Sequence, residues 1–313
     1  MITLKSPWQY CVGVCLRKVS WAIALLLAGC AQMPLSPVRS LDALADAGFV
    51  PAPASPVVKS LLRQAGEAPA INIYLEGDGA PWFLRMLPPR DPTPLQPVAA
   101  RLALGDSAAL VGYVGRPCQF LESVLLRDCS RSLWTNERFG DSAIALTRAA
   151  IDGLLSGLPP GRRLNLIGFS GGGTLALLVA AGRADVDCVV TLASPLDIDA
   201  WSDMNGVGRL AGSRNPARPN AALSRLRQTH VYGAADRIVP VAAVGRYHNF
   251  SGDSQVKVFA GNRGHGDWEK FWPAIRDSTC LNRSPSNAAQ AVPADRIAAE
   301  DRHVVTRPEV LHE

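Results

Sequence analysis

Apolar residues fall into short continuous blocks, and the stretches between them repeat apolar positions with a helical period. The blocks Ala70–Leu75, Ala108–Val114, Leu164–Phe169, Cys188–Ala193, Thr229–Gly233 and Gln255–Phe259 each predict a strand, Leu164–Phe169 a fully buried one. Helices are predicted near Val98–Leu104, over Ser142–Leu155 (amphipathic, closed by Gly157 and Pro159), over Thr174–Ala181 and over Trp268–Arg276. Strands that alternate with helices imply an α/β domain, a parallel sheet covered on both faces. Ligands of such sheets bind beyond the carboxyl ends of the strands, so the loops at those ends are the places to search. Residues 30–60, rich in Pro, Ala and Ser, read as a tether with a short helix at Leu41–Ala47, and the expected domain covers 61–280. The polar stretch 281–313 lacks aromatic residues and reads as a disordered tail.

One junction between these elements carries chemistry. Leu164–Phe169 runs through Ser170 into Gly171-Gly172-Gly173 and the apolar helix beyond, so a serine stands at a sharp strand-to-helix corner. Gly168 and Gly172 allow strand and helix to approach closely, and Gly171 offers a backbone N–H beside the serine hydroxyl. A serine hydroxyl is a poor nucleophile at neutral pH, so it needs a base within hydrogen-bond reach, and the base needs an orienting carboxylate. Two later strand-end loops offer them. The first strand ends in Ala234-Ala235-Asp236-Arg237-Ile238-Val239-Pro240, the second in Asn262-Arg263-Gly264-His265-Gly266-Asp267-Trp268. Asp197 and Asp199, after the strand containing Cys188, compete with Asp236 for the acid; His230, His248, His303 and His312 are worse placed than His265. Asp267 is expected to cap the last helix.

The Gly-x-Ser-x-Gly turn and the chain order serine, acid, histidine resemble the α/β-hydrolase superfamily over about residues 65–280. That resemblance implies an α/β-hydrolase fold: a mostly parallel central sheet, helices on both faces and a short cap segment. It further implies Ser170 as nucleophile, His265 as general base and then acid, and Asp236 as its orienter. An oxyanion formed at Ser170 needs two preorganised donors. Gly171 N–H is the first candidate, and the loop Glu76-Gly77-Asp78-Gly79 after the first strand supplies the second, aligned by Gly77 and donated by the N–H of Asp78. Many members carry His-Gly there, whereas this chain has two carboxylates around Gly77. Trp82, with Phe83 and Leu84, and Trp201, with Met204, are candidates for an apolar acyl or aryl pocket. The segment Asp199–Ala222 is short and reads as an ordered loop rather than a helical cap. The expected activity is cleavage of a small carboxylic ester or thioester through an acyl-enzyme. A peptidase or acyltransferase of the same fold and a non-catalytic binding scaffold are the rival readings.

Composition adds the setting. With 48% hydrophobic and 19% charged residues among 313, the chain supports a large core. Ahead of Cys30, Lys5, Arg17 and Lys18 supply three of the five net positive charges, which leaves +2 and no basic surface for nucleic acid. Arg17-Lys18, the short apolar run Val19–Ala28 and the small residues before Cys30 describe a signal peptide over 1–29, too short a run to span a bilayer. Leu27-Ala28-Gly29-Cys30 resembles the lipobox of bacterial lipoproteins. By that resemblance Cys30 is lipidated and becomes the N-terminus, and Ala31 after it implies the outer membrane, with the protein facing the periplasm. Such a compartment is oxidising. Cys118 and Cys129 bracket a short segment and are the favoured disulfide; Cys188 reads as a buried thiol that Cys280 reaches only if the last helix packs nearby. No Cys-x-x-Cys or His-x-x-x-His spacing occurs, so neither a metal nor a cofactor is expected.

Overall fold

The structure, a computed structural model, describes residues 41–52, 55–79, 87–247, 249–250, 254–260 and 264–282. The signal segment, Cys30, Trp82, Phe83, Leu84, His248 and the tail beyond Asn282 lie outside the described residues.

Eight strands form one sheet: β1 (Val50–Pro51), β2 (Ser60–Gln64), β3 (Ala70–Leu75), β4 (Leu110–Val114), β5 (Arg163–Phe169), β6 (Val186–Leu192), β7 (Arg227–Gly233) and β8 (Gln255–Phe259). Their spatial order is β1-β2-β4-β3-β5-β6-β7-β8. β3 to β8 run parallel, whereas β2 pairs antiparallel with β4, and β1 antiparallel with β2. Alternating side chains on each strand feed two separate cores. Ile71, Ile73 and Leu75 face one side, with the buried faces of α4 (Asp141–Ser156) and α5 (Gly171–Ala180). Tyr74, Tyr113 and Val190 face the other, with α1 (Asp42–Asp46), α2 (Val98–Leu104) and α7 (Trp272–Asp277). β5 is buried from Leu164 to Phe169, as a strand covered on both faces must be.

Two expectations are corrected. The tether does not extend to residue 60: Leu44, Phe49 and Val58 are buried in the two cores, and β1 and β2 extend the sheet edge. The Pro-rich composition that reads as a linker also suits an edge strand, where a missing N–H costs nothing. Next, the segment after β6 opens with a helix, α6 (Ile198–Asn205), and only then becomes loop. Asp197 caps its first turn and Gly206, at φ 61°, ends it in the left-handed conformation. The pairing that the sequence leaves open for Cys188 is with Cys280, while Cys118 is bonded to Cys129 as the spacing predicts. The first of these bridges ties the chain just beyond α7 to β6. The second closes the loop that follows β4 and leads into the short helix α3 (Ser123–Leu126).

Candidate active site

Ser170 sits between β5 and α5 with φ 51° and ψ −128°, a left-handed conformation that a serine adopts only where its surroundings impose it. Its N–H donates to Leu192 O (2.8 Å) and its carbonyl accepts from Gly173 N (3.0 Å), which fixes the corner from both sides. Close packing explains the neighbouring glycines. A Cβ on Gly168 would overlap the backbone of Gly172 and Gly173, and one on Gly172 would overlap the carbonyls of Leu75 and Glu76.

Two loops from the β7 and β8 ends meet this corner. His265 Nε2 lies 3.0 Å from Ser170 Oγ, and His265 Nδ1 lies 2.8 Å from Asp236 Oδ2. The Asp236 side chain is fully buried, and its Oδ1 accepts from the N–H groups of Ile238 (2.8 Å) and Val239 (2.9 Å). Those two bonds aim the other carboxylate oxygen at the imidazole. Trp268 Nε1 donates to His265 O (2.9 Å), and the Phe169 ring lies 5.0 Å from the imidazole, so the ring is held from its own loop and from β5. With Nδ1–H donating to Asp236, Nε2 is left to accept the serine proton.

Rival residues are occupied elsewhere. Asp197 Oδ1 accepts from Asp199 N, Ala200 N and Asn215 Nδ2, and Oδ2 accepts from Arg246 N, so this carboxylate is the cap of α6. Burial pushes its carboxyl up, but these donors outweigh burial and hold it below the usual range. His230 is fully buried between Thr191 Oγ1 (2.9 Å) and Gln228 Oε1 (3.1 Å), and burial lowers its pKa from 6.5 to about 3. Asp267 makes no capping bond; its backbone takes the left-handed conformation instead, at φ 60°.

The loop after β3 is more heavily engaged than its sequence predicts. Glu76 is buried, and its carboxylate accepts from Gly77 N (2.9 Å), Ala99 N and Ala100 N (each 3.3 Å) and Tyr113 OH (3.3 Å). Burial raises its pKa and the four donors offset only part of that rise. Gly77 N–H is committed to Glu76, which leaves the N–H of Asp78 as the donor candidate of this loop. What Gly77 contributes is the close approach, since a Cβ there would press on the Phe169 ring at 2.9 Å. The Asp78 carboxylate is paired with Arg116 Nη1 (2.6 Å) and Arg138 Nη1 (3.1 Å). Burial works against the Asp78 anion, yet the two guanidiniums hold its pKa below the ordinary carboxylate range. Among the described residues, no protein acceptor takes the N–H of Asp78 or of Gly171, the first residue of α5.

A cavity of about 880 Å³ opens over Ser170 and His265. Gly77, Asp78 and Gly79 form one wall, Trp201 and Ile238 another, and Trp134, Arg138 and Phe139 a third. Trp201 donates its Nε1 to Ile238 O (2.9 Å), which fixes α6 over the acid loop. The third wall was not foreseen, because it comes from the long connection between the Cys118–Cys129 loop and α4. Among the described residues no group of His, Cys, Asp and Glu is arranged to hold a metal ion.

No protein-family model matches the chain, and no curated protein matches it in sequence. Solved structures do. One is an acylaminoacyl peptidase of Pyrococcus horikoshii, at TM-score 0.51 and 12% identity, over 73% of this chain and 40% of that one. Another is a puromycin-hydrolyzing peptidase of Mycobacterium tuberculosis, at TM-score 0.50 and 14% identity, over 71% of this chain and 37% of that one. The chain thus spans about two fifths of these proteins. At such identities the likeness concerns the fold, and the fold is that of the α/β hydrolases.

Proposed function

We propose that the protein is a serine hydrolase acting on small carboxylic esters or thioesters, with Ser170 as nucleophile, His265 as base and Asp236 as its orienter. The observation that carries this reading is the unbroken chain from Ser170 Oγ to His265 (3.0 Å) to Asp236 (2.8 Å), set at a strained strand–helix corner under an open cavity. In the first half-reaction His265 Nε2 takes the hydroxyl proton as Ser170 Oγ bonds to the acyl carbon. The negative charge that develops on the carbonyl oxygen is met by the N–H groups of Gly171 and Asp78, neither of which has a protein acceptor among the described residues. Collapse of the adduct breaks the acyl–oxygen or acyl–sulfur bond, and the imidazolium returns its proton to the leaving group. Water then repeats the sequence on the acyl-enzyme, with His265 again as base.

The cavity lining supports an acyl or aryl group of modest size, because Trp134, Phe139, Trp201 and Ile238 give it mostly apolar walls. A fluorophosphonate probe is expected to label Ser170 on the folded protein. The Ser170→Ala variant is expected to lose both labelling and p-nitrophenyl butyrate turnover while unfolding at the same temperature. Folded protein that neither labels nor turns over an ester, thioester or amide panel supports the binding-scaffold reading. The panel includes amides because two structural neighbours are peptidases. On the lipobox at Leu27–Cys30 we also propose an acylated N-terminus at Cys30 and a place on the outer membrane facing the periplasm. Cys30→Ser is then expected to move the protein from the membrane to the soluble fraction, and continued membrane association counts against it.

A further inference from the structure

Several polar groups of the Gly77–Asp78 loop are tied down around the Asp78 N–H, which has no protein acceptor among the described residues. Gly77 N–H is held by Glu76, and Gly77 O accepts from Gln119 Nε2 (2.9 Å). The Asp78 carboxylate is clasped by Arg116 (2.6 Å) and Arg138 (3.1 Å). It also lies against the nucleophile corner, since a Cβ on Gly171 would overlap it. Gln119 and Arg116 are both buried, at 0% and 4% exposure, although Arg116 carries a full charge and its Nε has no hydrogen-bond partner among the described residues. A buried guanidinium with an orphan N–H is costly to keep, and such costs concentrate at functional sites.

The segment that supplies these two residues is itself forced. Cys118 and Phe120 have φ of 72° and 58°, a conformation unusual for a half-cystine and a genuine outlier for a bulky phenylalanine. It is held by the Cys118–Cys129 bridge and by bonds from Cys118 N to Val57 O (2.7 Å) and from Phe120 N to Thr93 Oγ1 (2.7 Å). The backbone N–H of Arg116 donates to Gln119 Oε1 (3.1 Å), so the Gln119 side chain that holds Gly77 O also pins the main chain from which Arg116 reaches Asp78.

We infer that the disulfide-closed 115–129 loop is a strut for the oxyanion site, in which Arg116 and Gln119 are positioning residues that aim the Asp78 N–H by gripping the Asp78 carboxylate and the Gly77 carbonyl. The inference rests on the hydrolase reading above. It explains how an aspartate is tolerated next to a developing negative charge: the two guanidiniums that neutralise its carboxylate also immobilise the residue whose backbone donates.

The test compares wild type with Arg116→Met, Arg116→Lys, Gln119→Met and Asp78→Asn. For each, kcat and KM for p-nitrophenyl butyrate are measured, together with inhibition by a trifluoromethyl ketone, which forms an oxyanion on serine, and by butyrate, which does not. Amide hydrogen exchange over residues 76–79 and thermal unfolding are followed in parallel. Complete loss of one oxyanion donor costs about 10²–10³-fold in kcat, so a misaimed donor is expected to cost about 10- to 100-fold. Arg116→Met and Gln119→Met are expected to show that loss in kcat with KM within about threefold. Trifluoromethyl ketone affinity falls in parallel, butyrate inhibition is unchanged, and exchange over 76–79 accelerates. Arg116→Lys, which keeps the charge but not the fork, recovers part of the loss. If Arg116→Met does not fold, Gln119→Met and Asp78→Asn carry the same comparison. Folded variants of an active wild type that keep kcat and ketone affinity within threefold, or leave exchange over 76–79 unchanged, overturn the strut. A wild type that fails to label at Ser170 overturns the hydrolase reading itself, and the strut as a catalytic device falls with it.

Discussion

Two carboxylates stand at strand ends near Ser170, and their hydrogen bonds separate them. Asp236 spends one oxygen on two backbone donors and turns the other to His265, whereas Asp197 spends both oxygens on α6, Asn215 and Arg246. Asp236→Asn keeps the shape but favours the tautomer that leaves Nε2 protonated, so kcat is expected to fall about 10³–10⁴-fold with little change in folding. Asp197→Asn is expected to keep turnover near wild type and to lower unfolding free energy by about 1–2 kcal/mol, read from urea titration. Equal losses of kcat in both variants would displace Asp236 from its role. This distinction was not legible in the sequence, because the segment after Asp197 reads as loop and its capping role appears only with α6. The engagement of Gly77 was not legible, nor were Arg116 and Gln119, because they meet the loop across 38 and 42 residues of chain with no local pattern to announce it.

At the scale of elements, the blocks that read as strands are strands, because β3, β5 and β6 are mostly buried and their sequences are mostly apolar. β1 escaped because it is a two-residue edge strand containing a proline, which makes it look like linker, and β2, a short strand beside it, falls outside the apolar blocks that mark the other strands. The last helix was read as one piece, whereas the chain forms a 3₁₀ turn at Trp268–Lys270 and then α7, with Pro273 near the start of the helix where its missing N–H is harmless. The Cys188–Cys280 bridge matters most here, since it spans 92 residues and fastens the end of the segment that carries His265 to the middle of the sheet. In the chain-entropy account a loop of that length contributes about 4–5 kcal/mol. Replacing both cysteines with alanine is therefore expected to lower Tm by about 10 °C, with faster amide exchange across residues 264–282. A reductant should reproduce the effect in wild type but not further destabilise the alanine variant's own 264–282 segment. An unchanged Tm in the double variant would mean that packing of Trp272 and Ile275 alone secures α7.

For the whole molecule, the buried polar groups set how stability responds to acid, and His230 dominates between mildly acidic and neutral pH. Its ring is enclosed by Thr191, Gln228, Tyr247 and Phe250, and the network needs it neutral: Nε2–H donates to Gln228 Oε1, and Nδ1 accepts from Thr191 Oγ1. The native imidazole titrates at about 3, against 6.5 in the unfolded chain. Between those values the unfolded state binds a proton that the native state refuses, so stability is full above pH 6.5 and declines as pH falls toward 3. The decline approaches about 1.4 kcal/mol per pH unit in the middle of the window. Asp78 and Asp197, whose carboxyls are held low, add their own loss only as pH drops below the ordinary aspartate value of 3.8. Glu76 works in the opposite sense, because its raised pKa lets the native state keep a proton above 4.5 that the unfolded chain has released. The informative quantity is therefore the difference between wild type and His230→Asn, in which the carboxylates cancel. The variant is expected to be less stable at pH 7, with a pH dependence between 6 and 4.5 shallower by about one proton, measured by urea unfolding at each pH. Parallel curves across that range would show that the buried imidazole takes up its proton without unfolding, and that the Thr191–His230–Gln228 network accommodates the charge.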